Sequence, residues 1–159
     1  MNAVALPPSS FPSRLLRGCL SPTLFDFWAT RLNPLWTLQQ PRARLLRREP
    51  AGRGAATLVL RTNRHWKGLR AGQHVTLGVE IDGRRLLRSY SPTPLGRGRI
   101  AITVKAVDGG LVSQHLVRDA QPGDVFTLDQ AFGDMVLADA APDLLLLAAG
   151  SGITPMRAL

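Results

Sequence analysis

Six short stretches of alternating apolar and polar residues, each closed off by glycine or proline, restrict the fold of this chain more than anything else in it. They run from Ala43 to Leu46, Ala56 to Leu60, Gln73 to Ile81, Arg85 to Ser91, Ile100 to Ala106 and Val125 to Leu128. A period of two is the period of a strand with one buried face. The breaks between them, Ala51-Gly52, Asp82-Gly83 and Gln121-Pro122-Gly123-Asp124, are turn sequences, and Asp82-Gly83 between two such runs predicts a tight hairpin. With 15 glycines and 12 prolines, the chain favours short strands over a helical bundle. The expected fold is mainly β: a six-stranded antiparallel Greek-key barrel, closed so that its edges are hidden.

Two helices are expected around it. Residues Leu20 to Leu32 place Leu24, Phe27, Trp28 and Leu32 on one face, with Ser21 or Thr23 as cap, Pro22 in the first turn and Asn33-Pro34 as the stop. Residues Leu111 to Ala120 repeat Leu111, Val112, His115 and Leu116 at helical spacing behind the Gly109-Gly110 turn. Near the C-terminus, Asp143 to Ala149 reads as a buried parallel strand running into a glycine turn, with Thr154 as cap and Pro155 in the first helical turn. The organisation expected is an aromatic arm packed on the barrel over residues 1–40, the barrel over 41–140, and a separate strand-turn-helix start over 141–159.

The chemistry is concentrated in Arg88-Ser89-Tyr90-Ser91. On a strand, Arg88 and Tyr90 point to one side and Ser89 and Ser91 to the other. A guanidinium grips phosphate bidentately, and a tyrosine ring stacks on a flat heteroaromatic ring. A flavin nucleotide has both parts. The Gly109-Gly110 turn adds a helix start whose unpaired N–H groups suit a pyrophosphate, with Ser113 as a further hydroxyl donor.

The net charge of +9 comes almost wholly from arginine, since Lys67 and Lys105 are the only lysines. Such a chain suits nucleic acid, an acidic membrane surface or an acidic protein, and a compositional bias toward arginine explains it as well. No zinc spacing or aromatic-basic repeat supports nucleic acid. Cys19 is the sole cysteine, so the chain has no disulfide framework and no four-cysteine cluster of its own. His65, His74 and His115 lack metal-ligand spacing, so no metal site is expected. No apolar run reaches the ~20 residues that span a bilayer. A soluble protein of the reducing cytoplasm is expected, with no transmembrane segment.

Taken in order, Arg88-Ser89-Tyr90-Ser91, Gly110-Leu111-Val112-Ser113 and Gly150-Ser151-Gly152-Ile153-Thr154-Pro155 resemble the motifs of the ferredoxin-NADP reductase superfamily. The first two are similar to the Arg-x-Tyr-Ser and Gly-x-x-Ser stretches of its flavin barrel, and the third to the opening turn of its nicotinamide domain. Asn33-Pro34-Leu35-Trp36, Ala71-Gly72-Gln73 and Val79-Glu80-Ile81-Asp82-Gly83 are similar to the bacterial oxygenase and desaturase reductases. The resemblance implies FAD, ahead of FMN, held by Arg88, Ser89, Tyr90, Ser91, Val104, Lys105, Gly110, Leu111, Val112 and Ser113. It implies NADPH or NADH as substrate against Gly150, Gly152 and Thr154. Ser91 and Tyr90 take the catalytic positions, Ser91 near the flavin N5 and Tyr90 stacked on the ring. His74 falls at a strand start that lies near the cofactor. The implied function is electron transfer from NAD(P)H through FAD to a ferredoxin or iron-sulfur partner of an oxygenase or desaturase. The alternative is a flavin-binding module without nicotinamide turnover. Gln130-Ala131-Phe132-Gly133-Asp134 departs from the family's Gly-Pro-x-Gly rim, and only the first strand and turn of a nucleotide domain are expected here.

Overall fold

A computed structural model describes residues 22–137 and 144–159 of the chain. The elements are α1 (Pro22–Leu32), β1 (Arg42–Pro50), β2 (Ala55–Thr62), β3 (Val75–Ile81), β4 (Arg84–Tyr90), β5 (Thr93–Gly96), β6 (Arg99–Lys105), α2 (Leu111–Gln114), β7 (Val125–Leu128) and α3 (Ile153–Ala158). All seven strands form one antiparallel sheet in the order β4-β3-β7-β1-β2-β6-β5. The strand count is therefore seven, not six. The added strand, β5, has four residues and contains Pro94, which is tolerated only on an edge, so it leaves no alternating pattern to read.

The sheet has to curl. Its two edge strands, β4 and β5, are joined by Ser91 and Pro92 alone, a link from Tyr90 to Thr93 that reaches about 11 Å. Laid flat, the six gaps of a seven-stranded sheet would separate those edges by about 28 Å. No ladder joins β4 to β5 among the described residues, so the expected closed barrel is a strongly curled sheet with an open seam.

The concave face holds the core. Ala43 and Leu45, Leu58 and Leu60, Val75, Leu77 and Val79, Ile100, Ile102 and Val104, Phe126 and Leu128 alternate inward and are buried. The register aligns them, with Leu45 opposite Leu60, Leu60 opposite Ile100, and Leu77 opposite Leu128. The Asp82-Gly83 hairpin forms as read, with Ile81 opposite Arg84. Val112, Leu116 and Ala120 close one end. They come from α2, a wider π-helical turn over His115–Asp119 and the residue that caps it, so the expected regular helix is α-helical at its start and widened after it. Leu111 turns outward, 65% exposed.

Two expectations meet a different outcome at the chain ends. Helix α1 forms, but its aromatic face is not packed on the sheet: Trp28 is 62% and Leu32 81% exposed, while Ala29 is the buried residue. Phe27 and Trp28 pack edge to face with Arg31 over both rings. Leu20, Ser21 and Cys19 lie outside the described residues, as does Asp143. Leu144 to Ala149 carries no ladder, and Leu145 is 83% exposed. A parallel strand needs a parallel neighbour, and all seven strands of this sheet run antiparallel.

Leu58 is completely buried in the middle of β2. Leu58→Ala is expected to lower stability by about 2–5 kcal/mol, measured by urea unfolding; a loss below about 1 kcal/mol would mean this core is not packed as described.

Candidate functional site

Three stretches far apart in sequence meet at one cleft of about 900 Å³. Arg88, Ser89, Tyr90 and Ser91, Val104 and Lys105 at the end of β6, and Gly110, Val112 and Ser113 all line it. Gly150 and Thr154 reach its rim. All four residues from Arg88 to Ser91 line it, although strand alternation separates them in pairs. The reason is position: β4 is an edge strand that ends at Tyr90, so both its faces and its free backbone edge are accessible from the cleft.

Tyr90 stands opposite Val75 and packs partly against the core. Burial pushes its phenol above the ordinary tyrosine range, and the nearby Arg88 guanidinium pulls it back in part. Arg88 is exposed, and its side chain donates from Nη1 to the carbonyl of Leu87 at 2.7 Å. Among the described residues no carboxylate pairs with it. A guanidinium left without an acid at a cleft wall is available to an anionic ligand.

The glycine turn is built around Ser113. Its Oγ donates to the Gly110 carbonyl at 3.0 Å and accepts from the Val107 N–H at 3.1 Å. The expected ligand donor is thus already used to fold the turn. What the turn offers outward is backbone: the first N–H groups of α2 have no intrahelical partner. Gly110 is required by space, since a Cβ there would lie 2.6 Å from Ser113 Oγ and 3.1 Å from the Val107 oxygen.

Leu111 and Gly152 are not among the lining residues. Thr154 does not cap α3: it lies inside the first turn, its Oγ1 donates to the Ser151 carbonyl at 2.8 Å, and Gly152 occupies the cap position. His74 does reach the cleft. Its ring packs on Phe132 at 3.9 Å, and its backbone exchanges two 2.9 Å hydrogen bonds with that residue. Gly133 has a backbone φ of 109° and lies against the His74 ring, so the departing Gln130 to Asp134 stretch is fitted to this histidine. Sequence reasoning missed Thr103, Val107, Ser151 and Ile153, which also line the cleft. Thr103 lies two residues before Lys105 and therefore on its face of β6, so strand alternation could have found it.

The matching family model is the oxidoreductase FAD-binding domain, over residues 43–136, more than half of the chain. The chain belongs to this family. It lies within the ferredoxin-NADP reductase superfamily that its motifs resemble. It is 37% identical over 146 residues to an NADPH oxidoreductase of Mycobacterium tuberculosis, covering 87% of this chain and 38% of that protein. Among solved structures, the flavohem-like FAD/NAD binding domain of nitric oxide dioxygenase from Vibrio cholerae aligns with a TM-score of 0.66 at 25% identity, covering 76% of this chain and 55% of that one. Phthalate dioxygenase reductase, a modular structure for electron transfer from pyridine nucleotides to [2Fe-2S], aligns with a TM-score of 0.60 at 27% identity, covering 74% and 37%. The chain thus spans well under two thirds of the length of these relatives.

The cleft of this FAD-binding domain fits the group on its own geometry. Its volume lies in the range of cofactor pockets, and its lining brings together an arginine with no acid partner among the described residues, the Gly110 turn and a half-buried aromatic ring.

Tyr90 is the only tyrosine, so its ionisation can be followed directly by ultraviolet absorbance. Its titration is expected above the ordinary value near 10, and Arg88→Ala is expected to move it higher still, because the cation favours the phenolate. Stability from the buried neutral phenol is complete below the unfolded-state value and is lost as pH rises through the folded one. A transition at or below that of free tyrosine would contradict the buried placement of the ring.

Proposed function

We propose that this chain holds FAD in the cleft and forms the flavin half of an NAD(P)H-dependent reductase whose electrons pass to a ferredoxin or other iron-sulfur acceptor of an oxygenase or desaturase system. The observation that carries the reading is the convergence of Arg88 to Ser91, Val104-Lys105 and the Gly110 turn on one cavity of cofactor size. The likeness to an NADPH oxidoreductase and to phthalate dioxygenase reductase supports the donor and the class of acceptor. A net charge of +9 suits an acidic electron-transfer partner.

The roles of the residues follow from their chemistry. Arg88 binds the pyrophosphate by charge-assisted hydrogen bonds, and the N–H groups at the start of α2 complete the grip from the other side. Gly110 keeps that side open, and Ser113 holds the turn in shape. Tyr90 presents its ring as a stacking surface and, with Val104 and Val112, keeps water off the apolar part of the cleft. Ser91 places a hydroxyl at the end of the edge strand, where it can donate to a developing negative charge without reorganising. Lys105 adds a cation to the lining. FAD held by these residues would supply the chemistry that couples a two-electron hydride donor to a one-electron acceptor. Gly150 and Thr154 at the rim form the side from which the nicotinamide approaches. Among the described residues no helix is long and apolar enough to cross a membrane.

A second reading has one observation behind it. Leu144 to Ala149 has no ladder partner, so a flavin domain that turns over nicotinamide only with further structure around this segment is the alternative. Two measurements separate these readings. Arg88→Ala is expected to weaken FAD binding about 10- to 100-fold, the equivalent of one charge-assisted hydrogen-bonded contact; unchanged affinity removes Arg88 from the phosphate grip. Anaerobic addition of NADPH or NADH to the FAD-loaded chain is expected to bleach the 450 nm flavin band. Retained colour with full FAD loading leaves the flavin domain and removes the reductase.

A further inference from the structure

Arginine lies opposite arginine across the outer face of the sheet. The ladder sets Arg44 against Arg61, and Arg61 against Arg99. Directly opposed residues share a face, so three guanidinium-bearing side chains form one row over β1, β2 and β6, on the side opposite Leu45, Leu60 and Ile100. Like charges placed this way weaken a sheet. Arg44 is relieved by Asn33, whose Oδ1 accepts from Nη2 at 3.0 Å. Neither Arg61 nor Arg99 has an ion-pair partner among the described residues, and Arg99 Nε is a buried donor without an acceptor.

Beside Arg99 lies a hollow of about 430 Å³, between the β5–β6 turn and the loop after β2. Arg64, Lys67 and Trp66 share its wall, and Trp66 Nε1 is a second buried donor with no acceptor. The wall is anchored: Gln130 Oε1 accepts from the Lys67 N–H at 3.0 Å, and Gln130 Nε2 donates to the His65 carbonyl at 2.9 Å. At the turn, Arg97 adopts a left-handed φ of 52°, unusual for a side-chain-bearing residue, and adds another cation close by in sequence. The site is rich in donors and contains no acid among its lining residues.

We propose that this hollow binds a small multivalent phosphate anion of the pyrophosphate class, held by Arg64, Lys67 and Arg99, at a place separate from the flavin cleft. The two sites share no lining residue. A phosphate group directs its oxygens tetrahedrally and can accept from cations on several segments at once, whereas one carboxylate is satisfied by one guanidinium fork. Binding also relieves the Arg61–Arg99 repulsion, so the anion stabilises the sheet as well as occupying the hollow.

Inorganic pyrophosphate titrated calorimetrically into the chain, with and without saturating FAD, tests this directly. The expected result is a saturable site that persists with FAD bound and weakens at least about 10-fold in Arg99→Gln and in Lys67→Gln, with citrate binding much more weakly. Arg61 is exposed and stands opposite Arg99 outside the hollow's lining, and Arg61→Gln is expected to melt higher than the parent without the anion while still binding it. Absence of a saturable site, a site abolished by FAD and indifferent to Arg99→Gln and Lys67→Gln, or citrate binding as tightly as pyrophosphate would each overturn the proposal. The FAD-free arm keeps this result independent of whether the cleft holds flavin.

Discussion

Two residues, Ser91 and Pro92, carry the chain from one edge of a seven-stranded sheet to the other, and that short reach is the constraint on which the molecule depends. A flat sheet cannot satisfy it, so the sheet curls until its edges face one another. Pro92 is fully buried at the joint, and its fixed φ suits a link with no ladder hydrogen bond to donate. The cost of ordering such a chain is offset by the row of β-branched and leucine side chains that fills the concave face.

The cleft is a product of the same curl. Because the seam stays open, β4 keeps a free backbone edge, and Arg88 to Ser91 share the cleft with the end of β6 and the Gly110 turn. A fully closed barrel would have used that edge in pairing. Placing the cationic and aromatic residues on the last strand before the joint lets a rigid element, rather than a loop, position them. The Gly110 turn is fixed by the Ser113 hydroxyl bridging Val107 and Gly110, so both parts of the cleft are set before any ligand arrives.

Much of this was legible in the sequence because strand periodicity and turn chemistry are local. The Asp82-Gly83 hairpin and the inward set from Val75 to Val79 needed nothing beyond alternation and a turn type, whereas alternation divides Arg88 to Ser91 between two faces and only the edge position of β4 brings all four to one cleft. β5 escaped because four residues with a proline carry no period. Leu111 and Val112 could not be told apart by helical spacing, since neighbours on a helix differ by only ~100° and the π-helical turn that follows resets which face is inward. Leu144 to Ala149 reads as a buried strand by composition, yet burial is a property of neighbours, and the sheet has no parallel neighbour for it. The row Arg44, Arg61 and Arg99 was invisible for a different reason: only the register, set partly by the irregularity between Leu45 and Arg47, brings those residues together.

The central claim is that the cleft is shaped for FAD, and the visible absorption spectrum of the purified chain after incubation with excess FAD and removal of the unbound cofactor tests it most directly. The account predicts a yellow protein with a flavin band near 450 nm and close to one flavin per chain. A folded but colourless protein would contradict it.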